Sequence, residues 1–260
     1  MAAALIGGLL KQGFKAADLQ AIELTPEGRN RLETHFGIRA VDSFDAQALE
    51  CDVLVLAVKP QQLRDAVAPV AGRLGRQIVI SIAAGLRLVD IGRWLGGYAT
   101  LVRAMPNTPA LIGAGITGLY ASAAVDAAGR SAAEQVLSAV GSTVWVRDEA
   151  QIDGVTAVSG SGPAYVFHFI ESLQAAGEAI GFDADTARKL AIDTVLGAAR
   201  LAAVSDESPA VLRERVTSKG GTTAAALASF AADGFPAMVE RAVRAAEARG
   251  RELGEQLGRD

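Results

Sequence analysis

The chain has 260 residues, of which 50% are hydrophobic and 21% charged, so length and composition predict a globular protein of one or two domains. A net charge of −4 leaves no basic excess to neutralise phosphates, which argues against nucleic acid or an anionic membrane as the main partner. The single cysteine, Cys51, excludes an intramolecular disulfide, and the apolar start lacks the basic region of a signal peptide. We therefore expect a cytoplasmic protein. Two histidines and one cysteine cannot build a Cys/His zinc site, so no metal is expected.

The first half of the sequence alternates between helix and strand patterns. Residues 2–12 have helical spacing and residues 21–24 favour a strand, after which Thr25 and Pro26 indicate the start of a helix that ends near Gly37. Further strands are predicted at 53–58, 78–82, 100–104, 116–121 and 143–146, with helices at 60–74, 88–95 and 126–139. The alternation predicts an α/β fold with a doubly wound, mostly parallel, Rossmann-like sheet, which binds ligands beyond the carboxyl ends of its strands.

An uncharged run at 104–125 is long enough to span a membrane, but it carries two prolines and three glycines, so we reject a membrane helix. Within this run, residues 113–118 fit the pattern G-x-G-x-x-G of a dinucleotide-binding turn. That turn must follow a strand and open a helix, whereas here a two-proline loop precedes the pattern and Ile116, Thr117 and Tyr120 favour a strand after it. We reject this assignment as well.

The second half changes character and contains only helix patterns. Five helices are predicted at 163–181, 183–205, 209–217, 222–233 and 236–258. We place the domain boundary accordingly, with a dinucleotide-binding domain at 1–153 and a helical substrate and oligomerisation domain at 154–260. The first of these helices is apolar over a wide arc, which predicts burial on more than one side and therefore a homo-oligomer; the residues of this arc are Val166, Phe167, Phe169, Ile170, Leu173, Ala176 and Ile180.

The most informative stretch is 216–227, where two glycines and two threonines precede an alanine-rich helix pattern. Glycines let a ligand approach the backbone closely, and the first turn of a helix offers unpaired N–H groups to an anion such as a carboxylate. By itself, the Gly-Gly-Thr motif favours an ordinary Gly-Gly turn with a threonine N-cap, since short motifs are weak. Together with Pro209, the run from Val216 to Thr223 and Leu227 closely resemble the signature of the pyrroline-5-carboxylate reductase family.

The resemblance implies hydride transfer from NADPH to the C=N carbon of 1-pyrroline-5-carboxylate, giving L-proline. It implies that the substrate carboxylate lies on the backbone N–H groups around Gly220, Gly221 and Thr222. The Thr223 hydroxyl would bind the ring nitrogen and help to deliver its proton. Glu149 and Ser218 match family positions near the substrate.

The resemblance also implies three cofactor-lining segments. These are Ala57-Val58-Lys59-Pro60, Ile82-Ala83-Ala84, and a loop at 105–109 that carries Asn107 beside the nicotinamide. The alternative for the first segment is a plain strand-to-helix turn with a solvated lysine. A further family block, 159–165, would bend the chain into the helical domain, and its alternative is a flexible linker.

The end of the strand predicted at 21–24, which corresponds to the second strand of family members, bears on the choice of cofactor. An NAD site would have an acidic residue there for the ribose hydroxyls. Here Thr25 follows the strand with Arg29 and Arg31 downstream, which favours the 2′-phosphate of NADPH. NADH stays open because Glu23 precedes Thr25, and Thr25 could also serve only as a helix cap.

The sequence departs from the family pattern at its beginning. Family members start with a short strand and a glycine-rich turn, and Met1 here occupies a position that is internal in them. We therefore hypothesise that the natural protein is longer, that the strand predicted at 53–58 lacks a neighbour, and that the 260-residue chain binds NADPH poorly. A milder departure is Phe44, where the pattern has a cofactor-contacting asparagine.

Two other functions remain open from the sequence. The first is another NADP-dependent reductase or dehydrogenase with a helical C-terminal domain, acting on a hydroxy acid through a lysine such as Lys189. The second is a non-catalytic relative that has lost cofactor binding. Titration of the purified protein with cofactor distinguishes the non-catalytic relative from both enzymes, the pyrroline-5-carboxylate reductase and the other NADP-dependent reductase.

Overall fold

The computed structural model describes residues 1–259 and divides into two compact units. The first unit comprises Met1–Ser161 together with the C-terminal residues from Ala246, and the second is Gly162–Ala245. The predicted boundary lay earlier, after residue 153. Asp153 is instead buried within the first unit and hydrogen-bonded to Arg103, so the chain has not left that unit there.

The first unit is an α/β structure whose elements follow the predicted alternation. Its strands are β1 (Gln20–Ile22), β2 (Arg39–Val41), β3 (Val53–Leu56), β4 (Ile78–Ser81), β5 (Leu101–Met105), β6 (Gly115–Ala121) and β7 (Gly141–Trp145). Its helices are α1 (Ala2–Lys11), α2 (Pro26–Phe36), α3 (Leu63–Val67), α4 (Leu88–Trp94), α5 (Ala127–Ser138) and α6 (Gln151–Val155), the last continued by a π-helical turn at Thr156–Gly160.

Five strands form one mixed sheet in the order β3-β4-β5-β6-β7, parallel except for the antiparallel pair β5–β6. Strands β4 and β5 lie inside the sheet and are almost fully buried. Helices cover the sheet and complete two apolar clusters, one around Ile80 and Leu119 and one around Leu63 and Val79. The predicted Rossmann-like α/β fold is confirmed.

Strands β1 and β2 form a separate parallel pair, and β3 ends the larger sheet. Within residues 1–259 no strand pairs with the outer edge of β3. Val53, Leu54 and Val55 are consequently only half-buried, so the expectation of a strand buried on both faces is wrong for most of β3. The hypothesis of a longer natural protein stays a prediction.

Local signals explain the helix ends of this unit. The Thr25 hydroxyl caps α2 by accepting a hydrogen bond from the Gly28 N–H at 3.2 Å, with Pro26 at the first helical position. Gly37 ends α2 in the left-handed region at φ 67°. The Asp126 carboxylate caps α5 through the Gly129 N–H at 2.8 Å.

Two features of the structure differ from the predicted elements, and two others bear on assignments that were rejected from the sequence. Strand β2 was not predicted. The helix expected at 60–74 is broken into short 3₁₀ and α-helical turns, because Pro69 has no N–H for a continuous helix. The rejection of a dinucleotide-binding turn at 113–118 is confirmed, since Gly115 begins β6 rather than a helix. The helices between Ala2 and Leu257 include none that is long and apolar enough to cross a membrane.

The second unit is entirely helical in its described residues. It contains α7 (Gly162–Ala179), α8 (Ala184–Val204), α9 (Pro209–Arg215), α10 (Thr222–Ala232) and the N-terminal part of α11 (Phe235–Leu257). Helices α7 and α8 pack closely where Gly177 faces Ala187; a Cβ at Gly177 would lie 3.2 Å from the Ala187 Cβ. Ala187 and Ala191 are the only residues of Gly162–Ala245 that are buried in this chain.

Candidate active site

Three predicted cofactor segments meet at one edge of the sheet. Strands β3, β4 and β5 are adjacent and parallel, so the residues that follow them lie at the same carboxyl edge. Ala57–Pro60 follow β3, Ile82–Ala84 follow β4, and Asn107 follows β5. Ala57, Val58 and Lys59 are exposed there, whereas Ala83 is buried. The structure thus groups these predicted residues as the sequence implied.

Asn107 is tied into the protein by its side-chain amide. Its Nδ2 donates to the Ser159 carbonyl at 3.2 Å, and its Oδ1 accepts from the Ile116 N–H at 3.0 Å. The loop after β5 is thereby fastened to the π-helical turn and to β6. Ser159 is helical here, so the 159–165 block is not a flexible linker. Gly160 packs against the end of the Met105 side chain, since a Cβ there would come within 2.7 Å of the Met105 Cε.

Glu149 is the half-buried member of a cluster of charges around the buried Arg103, which the sequence pattern did not reveal. Its Oε1 accepts from the Leu88 N–H at 2.7 Å and from Arg103 Nη1 at 3.4 Å. Arg103 Nη2 donates to the Asp153 carboxylate at 2.8 Å. Arg103 is one of the largest fully buried side chains of the chain. The available signal was a single arginine within the otherwise apolar strand Leu101–Met105.

The end of β1 carries the groups that the sequence connected with cofactor choice. The Thr25 N–H and hydroxyl both donate to Glu23 Oε1, at 2.9 and 2.8 Å. These two bonds, the backbone one first, hold the pKa of Glu23 below its usual range, with a smaller contribution from Arg31 and Arg29. Arg29 Nη1 donates to the Glu23 and Leu24 carbonyls, at 2.9 and 2.8 Å, so it fixes the turn. Arg31 is exposed.

A cavity of about 350 Å³ lies beside this turn, between α1 and α2. It is lined by Ala2, Ala3, Glu23, Arg31, Leu32, His35 and Phe36. Of the two arginines that the sequence named, only Arg31 lines it.

Apart from Glu149, which lies in the first unit, the predicted substrate residues lie in the second unit, just before and at the start of α10. Gly220 has φ 71°, a conformation that glycine adopts without strain. Gly221 is the N-cap, so a threonine N-cap is wrong, and its N–H donates to the Ser218 carbonyl at 3.0 Å. Thr222 and Thr223 occupy the first two helical positions, where N–H groups have no partner within the helix. Ser218 and Thr222 are exposed and Thr223 is half-buried. The N–H groups without a partner within the helix are therefore those of Thr222 and Thr223, whereas the Gly221 N–H is already used.

An α/β unit whose strands β3, β4 and β5 end at one edge of the sheet, followed by a helical unit, is the architecture of nucleotide-dependent oxidoreductases with a helical C-terminal domain. Two family models match: "Pyrroline-5-carboxylate reductase dimerisation" at residues 149–253 and "NADP oxidoreductase coenzyme F420-dependent" at residues 1–85. The chain is 49% identical over 259 residues to pyrroline-5-carboxylate reductase of Pseudomonas aeruginosa, covering 99% of this chain and 95% of the relative. The chain belongs to the pyrroline-5-carboxylate reductase family.

Solved structures agree with this assignment. A pyrroline-5-carboxylate reductase from Coxiella burnetii superposes with a TM-score of 0.93 at 37% identity, covering 97% of this chain and 94% of that one. The NADP-bound pyrroline carboxylate reductase of Plasmodium falciparum gives a TM-score of 0.84 at 28% identity, over 97% of this chain and 94% of that one. The resemblance drawn from residues 209–227 is confirmed over nearly the whole chain.

Proposed function

We propose that this protein reduces 1-pyrroline-5-carboxylate to L-proline with a nicotinamide cofactor. The observation that carries the proposal is the start of α10, where Gly220 and Gly221 precede Thr222 and Thr223 on a helix N-terminus. Such a terminus suits the substrate carboxylate through free N–H groups and the positive end of the helix dipole. The Pseudomonas aeruginosa relative, 49% identical, is named a pyrroline-5-carboxylate reductase.

The reaction asks the chain for positioning and one proton. When bound, the reduced nicotinamide supplies the hydride that adds to the imine carbon. The C=N bond becomes a C–N bond, and the ring nitrogen gains a proton. We assign delivery of that proton to the Thr223 hydroxyl and binding of the carboxylate to the N–H groups of Thr222 and Thr223, with Ser218 beside them. Such chemistry does not require a strong acid in the site.

The strand-end residues of the first unit fit a dinucleotide. Ala83 and Ala84 have small side chains at the carboxyl edge of β4, which leaves room for a flat ring against the backbone. We propose that Ile82, Ala83 and Ala84 form one wall, and that Ala57, Val58, Lys59 and Pro60 form the neighbouring one. Asn107 holds the adjacent loop.

The direct test is an assay of the purified protein with 1-pyrroline-5-carboxylate and NADPH. We expect oxidation of NADPH that depends on the imine, with proline as product. No turnover together with no cofactor binding would overturn the proposal in favour of a non-catalytic relative. Cofactor binding with turnover of a hydroxy acid instead would point to the other reductase class.

We further propose NADPH as the preferred cofactor, with NADH also accepted. Arg31 is exposed beside the cavity at the end of β1 and offers a guanidinium to a 2′-phosphate, whereas the Glu23 carboxylate lining the same cavity opposes it. Arg31→Ala should weaken NADPH binding by about tenfold and leave NADH binding unchanged. The matched variant Glu23→Gln should change the ratio of the two dissociation constants in the opposite direction. If the ratio of the NADPH and NADH dissociation constants is unchanged in both variants, the residues at the end of β1 do not determine cofactor preference.

We also propose that the helical unit forms a homo-oligomer, and that the protein is cytoplasmic. The first proposal is supported by the dimerisation model that matches residues 149–253 and by the apolar side chains exposed on α7. The second is supported by the single cysteine.

A further inference from the structure

The charges around Arg103 lie close to two of the three segments that we assign to the cofactor, because β5 leads into the loop of Asn107 and pairs with β4, which leads into Ile82–Ala84. Arg103 is 2% exposed and is located two residues before Met105, the end of β5. Its guanidinium bonds Asp153 at 2.8 Å and Glu149 at 3.4 Å, and both carboxylates belong to the segment leading into and along α6. Burying an arginine and a carboxylate is costly unless both are well paired; the Arg103 and Asp153 side chains are 2% and 10% exposed, and Glu149 at the edge of the cluster is 24% exposed. A cluster of this kind needs a reason beyond stability.

Glu149 supplies that reason through α4. Leu88 is the first residue of α4, and Arg87 before it gives no side-chain cap. The Glu149 carboxylate takes over as the cap, accepting from the Leu88 N–H at 2.7 Å from a position 61 residues away. The segment 82–87 therefore runs from β4 to a helix start that Glu149 holds. This is the segment whose first three residues form the proposed cofactor wall.

The other end of α4 is fastened by the C-terminal residues of the first unit. Arg93 Nη2 donates to the Gly258 carbonyl at 2.7 Å, and Arg93 also pairs with Asp90 at 3.1 Å. Arg87 lies 3.8 Å from Glu255. A Cβ at Gly254 would lie 2.4 Å from the Gly85 carbonyl oxygen, so the C-terminal part of α11 packs directly on the segment 82–87. Only the Arg93 contacts lie at the far end of α4. At its start, the Arg87–Glu255 pair is long and exposed, and the 2.7 Å hydrogen bond from the Leu88 N–H to Glu149 is the shorter contact that fixes where α4 begins.

We propose that Glu149 is a positioning residue for the cofactor wall Ile82–Ala84, acting through the Leu88 N–H, and that Arg103 and Asp153 anchor it. Glu149 then acts on the cofactor side rather than by touching the substrate. This proposal rests on the proposed function of the strand-end segments. The role requires an acceptor oxygen at residue 149, and its charge serves only the pairing with Arg103.

The experiment compares Glu149→Ala with Glu149→Gln in the full chain. Glutamine keeps an acceptor oxygen for Leu88, whereas alanine removes it. In cofactor-free protein, we expect amide hydrogen exchange of a peptide covering 82–92 to accelerate at least about tenfold in Glu149→Ala and to stay within about twofold of wild type in Glu149→Gln. The dissociation constant for NADPH should rise about tenfold in the alanine variant and be largely rescued in the glutamine variant.

Two further variants extend the test to the anchor. Asp153→Asn keeps an acceptor for Arg103, and Arg103→Lys keeps the charge while losing the fork that reaches both carboxylates. Under the proposal, Arg103→Lys also accelerates exchange in 82–92, and Asp153→Asn does so less. Arg103→Met is avoided, because it would leave two carboxylates without their buried partner.

Three results would overturn the proposal. If Glu149→Ala raises the KM for the imine at saturating NADPH, leaves NADPH binding unchanged and is not rescued by Glu149→Gln, then Glu149 acts by contacting the substrate. A lower melting temperature with unchanged exchange in 82–92 and unchanged NADPH binding would make the cluster purely structural. Equal effects of alanine and glutamine would remove the role of the Leu88 hydrogen bond. The exchange measurement needs neither cofactor nor activity, so failure of the proposed function is seen separately, in the wild-type assay.

Discussion

The two units of the chain differ in where their apolar side chains lie. The first unit holds the largest fully buried side chains of the described residues, among them Ile80, Leu119 and Leu137. The second unit buries only Ala187 and Ala191 among residues 162–245. Large apolar side chains stay exposed on every one of its helices, at Tyr165, Val166, Phe167, Phe169, Leu173, Leu190, Leu196, Leu201, Val204, Val211, Phe230, Phe235, Met238 and Val239.

This contrast shows that the α/β unit completes a core from its own residues and the helical unit does not. Exposed apolar surface of that extent marks an interaction face in a monomer. The family model matching this region is a dimerisation model, so a second copy is the partner that we propose for it. The predictions below separate a core made within the chain from one made between chains.

The largest effect is expected for Phe169→Asp on α7. We expect the dissociation constant of the oligomer to rise at least about 100-fold, because an unpaired carboxylate in a buried interface costs about 3 kcal/mol or more. Light scattering at micromolar concentration measures this. The matched control is Val144→Asp on β7 of the first unit, because Val144 is 44% exposed and Phe169 is 41% exposed. A monomeric wild type, or equal effects of both variants, would contradict an oligomer built through this helix.

The second prediction compares leucines of the two units. Leu137 is fully buried, so Leu137→Ala should destabilise the first unit by about 2–5 kcal/mol, at any protein concentration. Leu196→Ala on α8 should lower the melting temperature by an amount that shrinks as protein concentration rises, because the lost contact lies between chains. Thermal unfolding at two concentrations checks both. A concentration-independent effect of Leu196→Ala would mean that its contacts lie within one chain.

The third prediction separates the chemistry of the two units. Thr223→Ala should lower kcat about 100-fold and leave the dissociation constant for NADPH unchanged, because proton delivery is assigned to the second unit and cofactor binding to the first. The matched control is Thr222→Ala, which should retain most of the turnover. If Thr223→Ala turns over normally, the double variant Thr222→Ala/Thr223→Ala shows whether the Thr222 hydroxyl substitutes for that of Thr223. Normal turnover in the double variant would exclude a catalytic role for both hydroxyls.

The smallest effect is expected at the start of α8. Asp183 accepts from the Thr186 N–H at 2.9 Å and from its hydroxyl at 2.7 Å, and these bonds, the backbone one first, hold the pKa of Asp183 below its usual range. Because the folded-state pKa is depressed, the stabilisation is complete above the unfolded value and is lost as pH falls through the folded one. Asp183→Ala should therefore lower the melting temperature slightly at pH 7 and not at a pH below the folded value. Asp183→Asn, which keeps the cap, should stay closer to wild type at pH 7. A difference that persists at low pH would exclude the ionised cap.

Local sequence signals determined most of the secondary structure. The five helices predicted after residue 162 begin and end within two residues of those observed, because Asp183, Pro209 and the glycines before Thr222 act through the backbone of their own turn. Thr25, Pro26 and Gly37 did the same for α2. The family assignment also came from contiguous residues. The same resemblance predicted that three segments lie together at the cofactor, namely Ala57–Pro60, Ile82–Ala84 and the loop of Asn107.

Only the tertiary structure decided the features that depend on distant partners. Strand β2 is three residues long, and its extended conformation comes from pairing with β1 rather than from its own sequence pattern. The role of Glu149 depends on Leu88, 61 residues away, and the partners of Arg103 lie 46 and 50 residues away. An ionisable residue in a sequence shows its charge but not which group will desolvate or pair with it, since burial and pairing are properties of the assembled fold.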